Sequence, residues 1–473
     1  MGNSGEYQGT QDTEKNPDGD VCVVGTGFSG LAVARALRHR NVPFACFDRG
    51  ADVGGVWRFT DDGTSGRSPA YRSLHLNTSG AVTSFSGFPM SDSYPPYPRH
   101  DQVAAYLREF ADHHGLTRHI AYRTEVVAIR DCRDGTWEVT TRDRTGAQHR
   151  RRYGHVVVAS GYQWEPKFPE PMITGSDSFR GEIIHSADYV EPARYAGKHV
   201  LVLGFGNSAC DIAVELSRVA ERTTLSFRRG AHVVPKQLMG MPIDEIAASR
   251  WWSWLPFPAQ RKLIEVLLRI VRGPITSYGI PEPDHRVLEA PVTISDELLS
   301  RIRHGAIAVR PMIDHFDSSE VHFVDGSSEA VDAVIYCTGY RVSFPFVPQD
   351  AVFSSGGRVA LYHRVIPPYH PGLYFAGLIR PVGAITHLVE QQADWIAELV
   401  AGEAVLPPTG DMVSEIDAHL DRTAKRYGIA PIDSINVDVP TYLRAIRRER
   451  KVGRHRRRPH PTSGTRPKKP VAA

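Results

Sequence analysis

The stretch VCVVGTGFSGLAVARALRHRNVPFACFDRG, residues 21–50, decides how this chain folds. It reads as an apolar strand, a turn with Gly25, Gly27 and Gly30, a helix with Leu31, Ala34 and Leu37 on one face, and a second strand ending at Asp48. In such a unit the glycines have separate jobs. The first allows the tight turn, the second lets backbone approach a pyrophosphate, and the third brings the helix close onto the strand. The helix N-terminus then faces the phosphates with free N–H groups and the positive end of its dipole. Asp48 stands where a carboxylate accepts hydrogen bonds from ribose hydroxyls. Nucleotide contacts are therefore expected from Gly25, Thr26, Gly27, Phe28, Ser29, Gly30 and Asp48.

The pattern recurs in KHVLVLGFGNSACDIAVELSRVAERTTLSFRRG, residues 198–230. Here Gly204 and Gly206 form the turn, Ala209 replaces the third glycine, and Arg228 and Arg229 stand where the acid stood. A carboxylate would repel a 2′-phosphate, whereas a guanidinium binds one through charge-assisted hydrogen bonds, so this second site is expected to take NADP rather than NAD. Its contacts are assigned to Gly204, Gly206, Asn207, Ser208, Asp211 and Arg228. The two units also close alike, with HVVVASGYQWEP (155–166) and AVIYCTGYRVSFP (333–345). Gly161 follows Gly25 by 136 residues and Gly339 follows Gly204 by 135, as two similar domains require. The later segment GLYFAGLIRPVGAITHLVEQQADWIAELVAG (372–402) supplies another strand and a long helix that would complete the first domain. One dinucleotide on each domain, across a shared cleft, is the arrangement that passes a hydride between a nicotinamide and a flavin.

Composition narrows the alternatives. The 473 residues are 41% hydrophobic and 23% charged, an ordinary globular balance. Residues 445–473 hold eleven Lys or Arg against one Glu, so the tail carries +10 and the remainder −7. With few apolar residues, that tail is expected to stay disordered. It is also the only part that would suit nucleic acid, an accessory role at most. Five cysteines lack CxxC pairing, which argues against a disulfide reductase and for a reducing compartment. No HExxH or Cys/His ligand spacing suggests a metal. The polar start shows no signal peptide and no run of eighteen apolar residues occurs, so a cytoplasmic chain without a transmembrane segment is expected.

The order of GTGFSG, GGVWRF, LHLNTS, FRGEIIHSADY, GFGNSACD and CTGY closely resembles the flavin-containing monooxygenases, over roughly residues 20–405. Phe179, Gly181, His185 and Tyr189 match that family's FxGxxxHxxx(F/Y) signature. Related Baeyer–Villiger enzymes, which act on ketones, usually end it in Trp. The resemblance implies FAD and NADPH as cofactors, and O2 and a small organic substrate as partners. It further implies a hydroperoxide at the flavin C4a position whose distal oxygen passes to a soft nucleophilic nitrogen or sulfur. Val56 and Trp57 would lie at the flavin, and Asn77, with Thr78 beside it, would contact both flavin and nicotinamide as the catalytic amide. His185 reads as a hinge brace on the crossing between domains. Asp48 in place of a more usual Glu, Gly87 in place of a frequent Asp, and the basic tail depart from the family pattern.

The expected fold class is α/β, with two Rossmann-like dinucleotide-binding domains. Residues 1–19 are a flexible start, 20–163 and 341–405 form a discontinuous FAD domain, and 164–340 form an inserted NADP domain. A helical insertion spans about 236–290, a helical segment follows at 406–444, and the disordered basic tail occupies 445–473. The insertion, with Trp251, Trp252 and Trp254 clustered, reads first as a packed helical subdomain; an entrance wall, a homodimer contact and a shallow membrane contact are its other uses.

Overall fold

The structure, a computed structural model, describes residues 21–60, 68–238, 240–249, 252, 254–289 and 292–457. Two five-stranded parallel sheets organise it. The first contains β1 (Val21–Val24), β2 (Phe44–Phe47), β3 (Ile120–Ala121), β4 (His155–Val158) and, far along the chain, β10 (Leu373–Phe375). The second contains β5 (Glu182–His185), β6 (His199–Leu203), β7 (Arg222–Ser226), β8 (Ala308–Arg310) and β9 (Ala333–Tyr336). Their orders are β10-β4-β1-β2-β3 and β5-β9-β6-β7-β8, so four strands of each sheet, β4-β1-β2-β3 and β9-β6-β7-β8, follow one order. β1 and β9 are buried along their whole length, as continuous apolar runs in a doubly covered parallel sheet should be. The two doubly wound units are thus present, the first interrupted by the second.

The edge strand distinguishes the units. In the first it comes last, as β10; in the second it comes first, as β5, which carries His185 of the signature and pairs with β9 from Glu182–Ala333 to His185–Tyr336. His185 is fully buried, and its Nδ1 accepts from the Ala187 N–H at 3.1 Å. Two short segments cross between units, Glu165–Pro166 and Tyr340–Arg341, and they pair antiparallel as a two-stranded ribbon. Across the seam, the Tyr71 hydroxyl donates to Asp211 at 2.8 Å, the Arg72 N–H donates to the Val190 carbonyl, and Tyr71 packs edge-on against Tyr189. The Tyr189 hydroxyl in turn donates to Glu215 at 2.9 Å. The signature therefore joins the second sheet to the seam.

The helix α1 (Phe28–His39) buries Leu31, Ala34 and Leu37 against the first sheet, while α2 (Asn207–Leu216) does the same on the second with Ala209, Ile212 and Ala213. In the insertion, α3 (Ile243–Ala248) and α4 (Phe257–Arg272) are helical; Trp252 is buried, Trp254 is exposed, and Trp251 lies outside the described residues. Among the described residues no helix is long and apolar enough to cross a membrane.

The basic tail corrects one expectation. Its first part is not disordered: α6 (Val439–Arg457) is a helix whose Tyr442 and Ile446 are buried. Residues 458–473, where disorder was also expected, lie outside the described residues. Composition counted the arginines without their partner. That partner is Glu398 in α5 (Thr386–Val400), which is fully buried and takes Arg450 at 2.6 Å, Arg454, and Arg40 of the first unit at 3.3 Å. Arg450 and Arg454 sit one turn apart and reach the same carboxylate. Burial pushes the Glu398 carboxyl upward, yet the hydrogen bonds and positive charges of Arg450 and Arg454 together hold the group below its usual range.

Glu398→Ala removes the buried carboxylate that Arg40, Arg450 and Arg454 share, while Arg450 keeps Asp394 and Arg40 keeps Glu403, so it should destabilise the protein by about 1–3 kcal/mol at pH 7 in chemical denaturation. A folded-state value below the unfolded one gives stability that is full above the unfolded carboxyl value. It is lost as pH falls through the folded one, so the gap between parent and variant should narrow below about pH 4.

Candidate functional site

At the carboxyl ends of β1, β2 and β4, a cavity of about 420 Å³ opens in the first unit. This is where open α/β sheets bind ligands. Gly25, Thr26, Gly27, Phe28, Ser29 and Asp48 line it, as do Val56 and Trp57. Gly30 does not, because its work is packing: a Cβ there would meet the Gly25 carbonyl oxygen at 1.9 Å. Gly25 has φ +96°, and a Cβ on it would sit 2.7 Å from the Ala159 carbonyl oxygen. Gly27 faces Gly55 across the cavity mouth, with 3.5 Å between its would-be Cβ and the Gly55 Cα. Larger side chains on either would fill the space that an elongated ligand needs.

The turn is braced by the acid. Asp48 Oδ2 accepts from the Thr26 N–H at 2.8 Å and from its hydroxyl at 2.6 Å, while Oδ1 accepts from the Gly50 N–H at 2.7 Å. An ionised carboxylate offers about four lone-pair sites, so it retains capacity for a ribose hydroxyl. At the start of α1, no side chain caps the N-terminus and no acid stands in the first turn. Its free N–H groups and dipole suit a diphosphate. The residues present thus fit FAD. The segment after β4, Ser160 to Trp164, also lines the cavity, with Arg49 stacked over the Trp164 ring. The closing motif 155–166 marked this segment in the sequence, but only the carboxyl-end geometry shows that it forms a wall.

The second turn repeats the design. Gly204 has φ +136°, and a Cβ there would lie 2.5 Å from the Cys337 carbonyl oxygen. Around Gly206 an added Cβ would meet no atom within 4 Å among the described residues beyond its chain neighbours and own helix, and α2 likewise starts without a side-chain cap or first-turn acid. Asn207 and Asp211 face inward: Asn207 Oδ1 accepts from the Ile294 N–H at 2.8 Å, and Asp211 takes Tyr71 at the seam. Burial raises the Asp211 carboxyl, opposed by the Tyr71 hydrogen bond. Ser208 stands in the first turn of α2. At the end of β7, Arg229 pairs with Asp284 at 3.2 Å, whereas Arg228 is exposed and has no ion-pair partner among the described residues. Arg228 is the guanidinium left available for a phosphate.

Asn77 and Thr78 lie outside the cavity, on the loop before the short helix Gly80–Thr83. The Thr78 hydroxyl is bonded to that of Thr83 at 2.8 Å. The side-chain Oδ1 of Asn77 is buried with no hydrogen-bond partner among the described residues. Leaving a buried acceptor open costs about 1–3 kcal/mol, so a bound group or a water that donates to Asn77 Oδ1 would recover that cost.

Two substitutions separate the sites. Gly27→Val should yield protein that does not retain FAD, because branched methyls enter the space facing Gly55. Gly206→Val should stay yellow but resist reduction by NADPH. Visible absorbance of the purified variants, before and after anaerobic NADPH, reads both.

Comparison with known proteins agrees with this layout. The family model described as flavin-binding monooxygenase-like matches residues 18–453. The chain is 35% identical over 418 residues to flavin-containing monooxygenase 5 of Oryctolagus cuniculus, covering 86% of this chain and 78% of that protein. It is 32% identical over 434 residues to flavin-containing monooxygenase 3 of Rattus norvegicus, covering 89% and 81%. Among solved structures, S-allyl-L-cysteine S-oxygenase from Allium sativum superposes with a TM-score of 0.68 at 25% identity, covering 91% of this chain and 88% of that one. Cyclohexanone monooxygenase, in its open form, gives 0.67 at 17% identity over 92% and 98%, a likeness of fold alone. The chain therefore belongs to the flavin-binding monooxygenase-like family and is a flavoprotein monooxygenase with FAD and NADPH as its cofactors.

Proposed function

We propose that this monooxygenase transfers one oxygen atom of O2 to a soft nucleophilic nitrogen or sulfur of a small organic substrate. The observation that carries the reading is the open, buried Oδ1 of Asn77 on the loop that the flavin-containing monooxygenases use at the reacting centre. Two further features support it. The signature ends in Tyr189 rather than Trp, and the Allium sativum relative is by name an S-oxygenase. Five free cysteines, three of them buried, suit a cytoplasmic setting.

Bound FAD supplies the oxygen-activating chemistry once NADPH has reduced it. The chain binds, orients and dries. In the first unit, the N–H groups at the start of α1 take the diphosphate, Asp48 takes the ribose, and Phe28, Val56 and Trp57 give the cavity apolar walls. In the second unit, the N-terminus of α2 with Ser208 takes the nicotinamide diphosphate and Arg228 takes the 2′-phosphate. Asn77 contributes an acceptor at Oδ1 and a donor at Nδ2, and so holds a proton-bearing group in one orientation without itself ionising. Substrate choice among amines and sulfides then rests on the walls of the access route.

Arg228→Ala should weaken NADPH by about 10- to 100-fold and leave NADH nearly unchanged, since one charge-assisted bond is worth about 1.5–3 kcal/mol. Steady-state KM for both nucleotides checks this, and equal losses would remove the assignment. Asn77→Leu should keep FAD and still consume NADPH, while oxygen leaves as hydrogen peroxide instead of entering a thioether. The ratio of sulfoxide to peroxide per NADPH is the measurement. A variant that keeps the parent's ratio would make Asn77 a turn residue only.

A further inference from the structure

The loop that carries Asn77 is gripped from both sides by the insertion of the other unit. One residue before Asn77, the Leu76 carbonyl accepts from Lys236 Nζ at 3.2 Å. Two residues after it, the Ser79 N–H donates to Asp244 Oδ2 at 2.7 Å. Lys236 is itself held in place. Its carbonyl accepts from the Tyr97 hydroxyl at 2.6 Å, its ammonium lies 5.2 Å from the Tyr97 ring centroid, and its N–H donates to Asp296 at 2.8 Å. The Ile243 N–H closes onto the Lys236 carbonyl at 3.0 Å, so Lys236 and Asp244 form one rigid root. That root is the hairpin Gln237–Leu238 with Met241–Pro242 leading into α3.

We propose that Asp244 and Lys236 are positioning residues for the oxygen-transfer step: by fixing the backbone on either side of Asn77, they set the direction of its amide. The proposal rests on the reading of Asn77 given above. It has a physical basis in the reach of an Asn side chain. With one methylene between Cα and the amide, a backbone shift at Leu76 or Ser79 passes directly to Oδ1, whereas a longer side chain could compensate. Hydrogen bonds to charged groups are the strong ones, and two of them flank a four-residue span. Neither Lys236 nor Asp244 lines the first unit's cavity, so their loss leaves FAD binding untouched. Because both belong to the unit that carries NADPH, the acceptor on the flavin side is oriented by the nucleotide-bearing side. An oriented Asn77 commits NADPH and O2 to sulfoxide and water; a misdirected one lets the same two electrons leave as hydrogen peroxide.

The test compares the holoenzyme with Asp244→Ala, Asp244→Asn, Lys236→Met and Asn77→Leu. Two quantities are read: amide hydrogen exchange of residues 74–84 by mass spectrometry, and the ratio of sulfoxide to hydrogen peroxide per NADPH with methyl phenyl sulfide. Asp244→Ala should raise exchange in that segment about tenfold and lower the product ratio at least threefold, with FAD content and NADPH consumption unchanged. Asp244→Asn, whose amide oxygen still accepts from Ser79, should restore both. Lys236→Met should behave like Asp244→Ala and carries the test if that variant does not fold. If exchange rises while the product ratio stays at the parent's value and Asn77→Leu still lowers it, the bracket does not act on the reaction and the proposal falls alone. If Asn77→Leu also keeps the parent's ratio, the Asn77 reading falls and takes the proposal with it.

Discussion

Everything in this molecule depends on how closely backbone approaches backbone at the two turns. At Gly25 and at Gly204 a single added carbon would meet the carbonyl oxygen of the residue just past the neighbouring strand, Ala159 or Cys337, at 2.7 and 2.5 Å, and both glycines sit at positive φ. Glycine alone permits that approach without strain. The turn then delivers a helix N-terminus to the carboxyl end of the sheet, with its N–H groups free for phosphate. A second glycine in each turn, Gly27 and Gly206, leaves open the space we assign to a phosphate. The same constraint, used twice, yields two nucleotide sites on one chain.

Duplication explains what was legible. The paired turns and closing strands announce two parallel sheets, and the observed orders agree in four strands, β4-β1-β2-β3 and β9-β6-β7-β8, while the edge strand differs. First-turn residues, Asp48, Val56 and Trp57 are gathered into one cavity because local sequence dictates the unit that holds them. Contacts between elements far apart in the chain were another matter. Nothing in the run after residue 445 says that Arg450 and Arg454 meet a buried Glu398, since the carboxylate lies about fifty residues away on another helix. Likewise Asp244 reaches Ser79 across 165 residues. Charge patterns report what a residue can do, whereas tertiary packing decides which partner it finds.

Asp211 shows the same division. Its place one turn into α2 suggested a nucleotide contact, yet its carboxylate takes the Tyr71 hydroxyl at the seam. With the Tyr71 ring edge-on to Tyr189, which Glu215 anchors within the second unit, this bond sets one unit against the other. Arg228 and Arg229 divide their work for a similar reason. Arg229 is bound to Asp284 of the insertion, while Arg228 has no ion-pair partner among the described residues, which is why the proposed phosphate contact falls to Arg228. The insertion thus touches both units, through Asp284 at Arg229 and through Lys236 and Asp244 at the Asn77 loop.

The central claim is that this arrangement delivers one atom of O2 to a soft heteroatom. Incubating the holoenzyme with NADPH under ¹⁸O2, with methyl phenyl sulfide and cyclohexanone present in equal amounts, tests it most directly by mass spectrometry of the products. The account predicts sulfoxide carrying one ¹⁸O atom, formed in proportion to NADPH, with little or no lactone. Labelled lactone as the dominant product, or label found only in hydrogen peroxide while both substrates are recovered, would contradict it.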